Sequence, residues 1–293
     1  MKKLIVVTVL SFALVFSAAM IASAAPTVSG EVDFGKDFQN NPAPFNIGYA
    51  KLNADANITD NISAHVGFKA DPIFDAQTVN PAKVYTDEAW FKMTGDLGTL
   101  KVGRFAYNQK SGIDILNPAI DDINTDLTAS YSVQVADGLT INAAAANDDV
   151  HQGLQYSAGV AYANDMFGGD VNYTKPVVGN DNSAISANAW YKLSDFKLFG
   201  NYEKNDTNSL AQRATTDSVI GVSYDSAQMP IYGRVEYDLQ SNTTNDASGN
   251  SVNPYGVRLG YKVNNNFKVQ YQLAKNQSMN SKDDQYLKAI VTF

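Results

Sequence analysis

The sequence predicts an all-β protein in which 16 antiparallel strands close into a barrel that crosses a membrane. Three observations predict this fold. After residue 25, short segments alternate apolar and polar residues, short turns alternate with longer polar links, and aromatic residues cluster at the segment ends. Alternation gives each strand one apolar and one polar face. Only a closed barrel lets such strands satisfy their backbone hydrogen bonds in lipid.

The first 24 residues predict a cleaved signal peptide. Two lysines precede an uncharged apolar run that ends at the small residues Ala22, Ser23 and Ala24. This order is typical of a secretory signal. A single membrane anchor is the alternative, but it needs charged or aromatic flanks where this chain has small residues. We therefore expect cleavage after Ala24, export, and one barrel domain over residues 25–293.

The composition argues against several classes of protein. Because none of the 293 residues is cysteine, the chain can form neither disulfides nor a thiolate metal site. The net charge is −8 and no basic stripe is present, so nucleic acid is not an expected partner. After the signal peptide, no apolar run approaches the roughly 18 residues that a membrane helix needs. We expect no cofactor and no bound metal.

The connections between the segments alternate in length. Seven short turns are predicted at residues 59–61, 95–98, 136–138, 164–169, 194–195, 226–229 and 264–266. Eight longer links are predicted at residues 39–44, 71–83, 108–126, 148–153, 178–182, 206–215, 240–253 and 277–284. These connections join 16 strands and leave both termini on the short-turn side. In outer-membrane barrels the short turns are periplasmic and the longer loops extracellular, which is the orientation we expect here.

The strand segments have the length and the aromatic ends of membrane-crossing strands. Each of the clearest segments, such as "FKVQYQLAK" (267–275), is about 9–11 residues long, enough for a tilted strand to cross a bilayer. Aromatic residues on the apolar parity form two predicted girdles. They are Phe91, Tyr162, Tyr191, Phe196, Tyr224, Tyr261, Phe267 and Phe293 near the short turns, and Tyr156, Tyr173, Tyr202, Tyr237 and Tyr255 near the longer links. A soluble β-sandwich also alternates, but it does not account for the girdles.

The last strand, "QYLKAIVTF", ends on an aromatic residue. Leu287, Ala289, Val291 and Phe293 fall on one face. Such a strand resembles the terminal signal by which outer-membrane barrels are recognised for insertion. We therefore expect Phe293 to be an insertion signal that the barrel-assembly machinery reads, and outer-membrane lipid to surround the protein.

One stretch resembles a known family. Residues 87–108, "DEAWFKMTGDLGTLKVGRFAYN", are similar to the signature of the Gram-negative trimeric porins. The matching positions are Trp90, Gly95, Leu97, Gly98, Gly103 and Arg104. Residues 127–146 resemble the hairpin that follows the third loop of these porins, and the rest matches only as a strand pattern. The resemblance implies a 16-stranded general-diffusion porin that forms a homotrimer.

The resemblance also implies a constriction. In the family, the third extracellular loop folds into the barrel, and its acidic residues face a basic cluster on the wall. The counterpart loop is residues 109–126, where we predict Asp114, Asp121, Asp122 and Asp126 to face Arg104, Arg234, Arg258 and Lys92. Strict alternation, however, groups Arg104 with Leu100 and Val102. Either a bulge separates Arg104 from that parity, or Leu100 and Val102 also face the lumen, which the loop lines.

These features predict a water-filled channel for passive diffusion of ions and small hydrophilic solutes. About eight strands fill their barrel with side chains, whereas 16 leave an aqueous lumen. Fixed charge at the constriction would set the ion preference, and the excess of acidic residues predicts a mild preference for cations. A narrower, substrate-specific channel is the main alternative.

Two further alternatives have less support. An outer-membrane enzyme would need a histidine beside a nucleophile, and neither His65 nor His151 has a nucleophile signal nearby. An adhesin would bind a partner through its loops, but residues 241–251 are rich in Asn and Ser and are typical of a flexible segment. We therefore predict a channel and not an enzyme.

Overall fold

A computed structural model describes residues 26–37, 46–71, 83–107, 114–116, 123–148, 153–176, 183–205, 216–239, 253–275 and 284–293. The predicted signal peptide, residues 1–24, lies outside these ranges. Within them, no helix is long and apolar enough to cross a membrane. The described residues instead form 16 strands.

Each strand pairs antiparallel with its neighbours in the chain, and the last pairs with the first, so the barrel is closed. The strands are β1 (Thr27–Asp37), β2 (Asn46–Thr59), β3 (Ile62–Asp71), β4 (Lys83–Gly95), β5 (Gly98–Tyr107), β6 (Ile123–Ala136), β7 (Leu139–Asp148), β8 (Gly153–Ala163), β9 (Phe167–Pro176), β10 (Ala184–Leu193), β11 (Phe196–Asn205), β12 (Thr216–Asp225), β13 (Ile231–Asp238), β14 (Tyr255–Asn264), β15 (Phe267–Lys275) and β16 (Asp284–Thr292). The predicted fold class and strand count are confirmed.

Alternation along each strand separates an outer face from a lumen face. On β13, Ile231, Val235 and Tyr237 are 46 %, 43 % and 41 % exposed, whereas Glu236 and Asp238, on the other parity, are buried. The outer face is thus apolar and the lumen face polar, as expected of a barrel whose outer surface meets lipid. Most predicted girdle residues are exposed on the outer face, and Tyr224, Tyr255 and Phe267 are half-buried there.

The third long link is shorter than predicted. β6 begins at Ile123, which pairs with Tyr107 of β5, so Asp126 belongs to a strand and not to a loop. The reason is that the first residues of β6 are mostly polar. These residues lack the apolar–polar alternation that marks a strand, so the sequence does not show the boundary.

The barrel closes through its last residue. The Phe293 N–H donates to the Gly30 carbonyl at 3.1 Å, and the Gly30 N–H donates back to the Phe293 carbonyl at 2.9 Å. The Phe293 ring lies over Gly30, where a Cβ atom would come within 2.8 Å of the ring and of the Lys51 carbonyl oxygen. Glycine at position 30 therefore lets the terminal aromatic ring lie flat against the seam.

Candidate functional site

Three residues of the third long link lie against the lumen side of β13 and β14. The Asp114 N–H donates to Oε1 of Glu236 at 2.8 Å, and the N–H groups of Ile115 and Leu116 both donate to Oε2 at 2.9 Å. Glu236 is fully buried. A buried carboxylate is tolerated only when hydrogen bonds and opposite charges compensate it. Glu236 thus fixes the backbone of the link, and the link in turn satisfies Glu236.

The Asp114 side chain binds an arginine of the wall. Arg258 donates to Asp114 through both terminal nitrogens, from Nη1 to Oδ2 at 2.5 Å and from Nη2 to Oδ1 at 3.2 Å. Two parallel bonds of this kind fix orientation as well as distance. Arg258 also donates from Nε to the amide oxygen of Gln272 at 2.8 Å. The guanidinium is therefore held by β15 on one side and by the link on the other.

A second arginine completes the group. Arg234 donates from Nε to Oε1 of Glu236 at 2.6 Å, and its guanidinium carbon lies 4.1 Å from the centroid of the Phe199 ring. Arg234 and Arg258 are directly opposite in the β13–β14 register. Like charges in such positions repel, and here the carboxylates of Glu236 and Asp114 lie against them. We refer to Asp114, Arg234, Glu236 and Arg258 as the loop–wall cluster.

Apolar contacts support the cluster from the side of the link. Ile115 and Leu116 are each only 5 % exposed. Ile115 packs on Gly256 of β14, where a Cβ atom would lie 2.9 Å from the Ile115 Cβ, and Leu116 packs with Val219 of β12. Burying side chains of this size contributes about 1.5–3 kcal/mol each. The link is therefore held by both charge and packing.

The environment of Asp114 keeps its carboxyl ionised. Burial alone would raise the pKa of Asp114, but the hydrogen bond from Arg258 and the charges of Arg258 and Arg234 outweigh it, so that the pKa lies below the ordinary value of 3.8. The carboxylate remains charged at neutral pH and into the acidic range.

The structure brings together three of the predicted site residues: Asp114, Arg234 and Arg258. Asp121 and Asp122 lie outside the described residues. Asp126 lies on β6. Lys92 faces the lumen but lies opposite Lys101, three residues from the short turn of its hairpin and outside the loop–wall cluster.

Arg104 also lies outside the cluster. A register shift marks a bulge beside it, but on the β5–β6 ladder between Gly103 and Phe105. On the β4–β5 ladder the register continues unbroken, so Arg104 lies opposite Ala89 and keeps the parity of Val102. Val102 lies opposite Phe91, which is exposed on the outer face. This register groups Arg104 with the outer face and not with the lumen wall.

Alternation along β13 places Glu236 on the lumen face, but nothing in the sequence assigns it to the site. Its partners Asp114 to Leu116 are more than 100 residues away in the chain. Parity shows which way a side chain faces, but no local pattern shows which loop returns to it. Among the described residues, no group of three or more potential ligands could hold a metal ion.

Comparisons with known proteins agree with the fold. A family model described as Gram-negative porin matches residues 8–281. A structure of Salmonella typhi OmpF in complex with daunomycin has a TM-score of 0.65 at 14 % identity, over 92 % of this chain and 97 % of that one. A mutant of the Rhodopseudomonas blastica porin has a TM-score of 0.63 at 14 % identity, over 92 % of this chain and 99 % of that one.

A loop-deletion mutant of OmpT, an outer membrane protein of Vibrio cholerae, has a TM-score of 0.61 at 14 % identity, over 92 % of this chain and 99 % of that one. At these identities the structural likenesses show the fold alone. No curated protein matches the chain.

Proposed function

The chain belongs to the Gram-negative porin family, and from this premise we propose that its third long link narrows the channel at the loop–wall cluster. The protein is an outer-membrane diffusion channel. The observation that carries the proposed narrowing is the set of three backbone N–H groups that bind Glu236. A link bound to the lumen side of β13 and β14 takes cross-section away from the pore. Small hydrophilic solutes then pass according to size.

The fixed charges at this level would act on ions as well as on size. Asp114 keeps half of its side chain exposed, next to the two arginines. A solute that passes the cluster meets both signs of charge close together, which favours small polar molecules and ions over apolar ones.

The mild preference for cations is also part of the proposal. Aspartates are exposed at the short turns, where they would concentrate cations at the periplasmic mouth. They are Asp60, Asp96, Asp137, Asp165 and Asp195. On the described lumen wall, by contrast, acidic and basic residues are both common, and the loop–wall cluster holds two of each, so the preference would arise at the mouth.

A substrate-specific channel for sugars has less support. Such a channel needs a run of open aromatic faces along the lumen. Here a cation lies over each of Trp190, Phe199 and Tyr286, at 4.8, 4.1 and 4.6 Å from the ring centroids. Those faces are therefore occupied, and general diffusion is the better proposal.

We propose no enzymatic role. His65 stacks on Trp90 with ring centroids 5.0 Å apart, and its Nδ1 lies 2.7 Å from a carboxylate oxygen of Asp55. No nucleophile in the described part of the chain is hydrogen-bonded to this histidine. His151 lies outside the described residues.

Planar-bilayer recording tests the proposed function, including the homotrimer that the family resemblance implies. The purified, detergent-folded protein should give large ohmic steps that close in groups of three at high voltage. In a potassium chloride gradient, the reversal potential should have the sign of a mild cation preference. Small steps blocked by one particular solute would contradict general diffusion in favour of a specific channel. Absence of conductance from folded protein would contradict the channel.

Replacing Asp114 by asparagine should change the conductance at neutral pH to the value that the wild type reaches only in acid. The folded pKa is lowered, so the Asp114–Arg258 contact contributes fully above about pH 3.8 and is lost as the pH falls through the lowered pKa. Wild-type conductance should therefore stay constant from neutral pH down to about pH 4 and change below it. The measurement is single-channel conductance as a function of pH.

Asp170→Asn is the matched control. Asp170 is another lumen carboxylate, held by Asn172 and Asn188 at 2.7 and 2.6 Å on β9 and β10, away from the cluster. This variant removes the same charge but should keep the acid-dependent change. If Asp114→Asn also kept that change, the contact with Arg258 would not control the pore.

A further inference from the structure

Two hairpins of the barrel carry nearly the same four-residue sequence close to their short turns. Residues 89–92 read Ala-Trp-Phe-Lys on β4, and residues 189–192 read Ala-Trp-Tyr-Lys on β10. The third residue of each, Phe91 or Tyr191, is exposed on the outer face. Alternation therefore directs the tryptophan and the lysine of each hairpin to the lumen. The same wall feature occurs twice, six strands apart.

In both hairpins the register sets two lysines directly opposite each other. Lys92 of β4 lies opposite Lys101 of β5, and Lys192 of β10 lies opposite Lys197 of β11. Directly opposed residues have Cβ atoms about 4.5–5.5 Å apart, and like charges in such positions destabilise a sheet. The fold alone gives no reason for either pair.

A third lysine pair shows how the barrel compensates such a contact. Lys262 of β14 lies opposite Lys268 of β15. Lys262 forms an ion pair with Asp225 and also donates to the Ser226 carbonyl at 3.3 Å. An acidic partner therefore neutralises one lysine of this pair.

The other two pairs have no such partner. Within the part of the chain that the structure describes, no carboxylate forms an ion pair with Lys92, Lys101, Lys192 or Lys197. Glu88 acts on Lys101 through its charge but forms no ion pair with it, since its carboxylate accepts a hydrogen bond from Trp90 and pairs with Lys51. Each pair thus presents two ammonium groups to the lumen with no ion-paired carboxylate among the described residues.

Aromatic rings position one lysine of each pair. The Lys101 Nζ lies 4.3 Å from the centroid of the Trp90 ring and 4.0 Å from that of Phe105, and the Lys197 Nζ lies 4.8 Å from that of Trp190. Cation–π contacts of this kind hold an ammonium group without neutralising it. One cation of each pair is fixed against the wall, and the other, Lys92 or Lys192, is exposed to the lumen.

We propose that these two lysine pairs are binding sites for small polyvalent oxyanions, inorganic phosphate and phosphomonoesters, in the short-turn half of the lumen. A dianion with several acceptor oxygens can accept hydrogen bonds from both ammonium groups of a pair. It thereby converts their repulsion into two attractions. Chloride carries one charge and cannot bridge in the same way.

Such sites would hold phosphate-bearing solutes briefly on their way through the pore. A solute is conducted only if it binds strongly enough to enter the pore and weakly enough to leave it. Two exposed lysines in a water-filled lumen should bind phosphate weakly. The inference rests on an open, water-filled channel. It does not depend on the narrowing proposed at the loop–wall cluster.

The experiment measures stabilisation by inorganic phosphate. A ligand that binds only the folded state raises the unfolding midpoint in a saturable way. We expect phosphate at about pH 8, where it is mainly a dianion, to raise the midpoint of the detergent-folded protein relative to chloride at equal ionic strength. In the double variant Lys92→Gln/Lys192→Gln, the phosphate concentration for half the effect should rise about tenfold or more, the loss expected for one charged contact per site. Its midpoint without phosphate should not fall, because a repulsion is removed.

Lys268→Gln is the matched control. It removes a lumen lysine that also lies opposite a lysine, but the opposing Lys262 is ion-paired with Asp225. The phosphate response should survive this change. The inference is overturned if the wild type shows no phosphate response. It is also overturned if the double variant responds equally, because phosphate then acts as a general salt. Loss of the response in Lys268→Gln would overturn it too, because the effect would then follow the total charge of the lumen.

Conductance in chloride separates this inference from the function. A protein that conducts but does not respond to phosphate overturns the lysine sites and leaves the porin function intact. A folded protein that does not conduct contradicts the channel, and the inference with it.

Discussion

Replacing Glu236 by glutamine should release the third link from the wall and widen the pore. The glutamine amide brings two N–H donors to a place where three backbone N–H groups and Arg234 already point their hydrogens. Losing one partner of a buried charge network costs about 3–5 kcal/mol, and we expect the lower end because the shape is kept. Single-channel conductance should rise, and larger sugars should enter protein-containing liposomes.

Asp33→Asn is the control for this prediction. Asp33 is also a buried lumen carboxylate, 2 % exposed, and it pairs with Lys288 at 2.9 Å across the seam. This variant should lose stability as well, but should keep the wild-type conductance and size limit for sugars. The proposed constriction is wrong if both variants behave alike in liposome swelling, or if Glu236→Gln leaves the size limit unchanged.

Replacing Phe293 by alanine should lower the amount of folded protein in the outer membrane several-fold. The ring closes the seam over Gly30, and a loss of 1–2 kcal/mol changes abundance in cells by about this factor. If the residue is also the insertion signal, the loss in cells should exceed the loss on refolding into detergent, where no assembly machinery is present. The measurement is the fraction of heat-modifiable protein in both settings.

Phe196→Ala provides the comparison. Phe196 is another girdle phenylalanine near the short turns, 49 % exposed and in contact with Tyr224 at 4.9 Å between ring centroids. Its loss should have similar, small effects in cells and in detergent. If Phe293→Ala lost the same fraction of folded protein in both settings, recognition by the assembly machinery would be contradicted. Closure of the seam would then be the only remaining role of Phe293.

The fold could be predicted from the sequence because its signals are local. A barrel strand alternates along its length whatever its neighbours are, and a tight turn marks itself by its composition. In β13, Ile231, Val235 and Tyr237 alternate with Glu236 and Asp238 in the sequence as they do in the structure. The predicted boundary at Asp126 was wrong because the first residues of β6 are mostly polar and lack the alternation that marks a strand.

The site could be predicted only in part. Asp114, Arg234 and Arg258 were predicted from the family resemblance together with parity, and the structure brings them together. Parity alone left the position of Arg104 undecided. Glu236 binds the backbone of the third long link, which is distant in the sequence. Gly256 leaves space for the Ile115 side chain of the same link. Such contacts are set by the three-dimensional path of the chain and leave no periodic trace in it.

The pairing of β1 with β16 has a consequence for how the chain folds. Every other ladder joins strands adjacent in sequence, so each can form as soon as its hairpin exists. The last ladder brings Glu31 opposite Thr292 and spans almost the whole chain. Contacts of such high sequence separation carry the largest loop-closure entropy and form slowly. Until then β1 and β16 are two unpaired edges, the arrangement most prone to aggregation. We therefore expect seam closure to be the slowest step of folding and the step at which this chain is most vulnerable to aggregation.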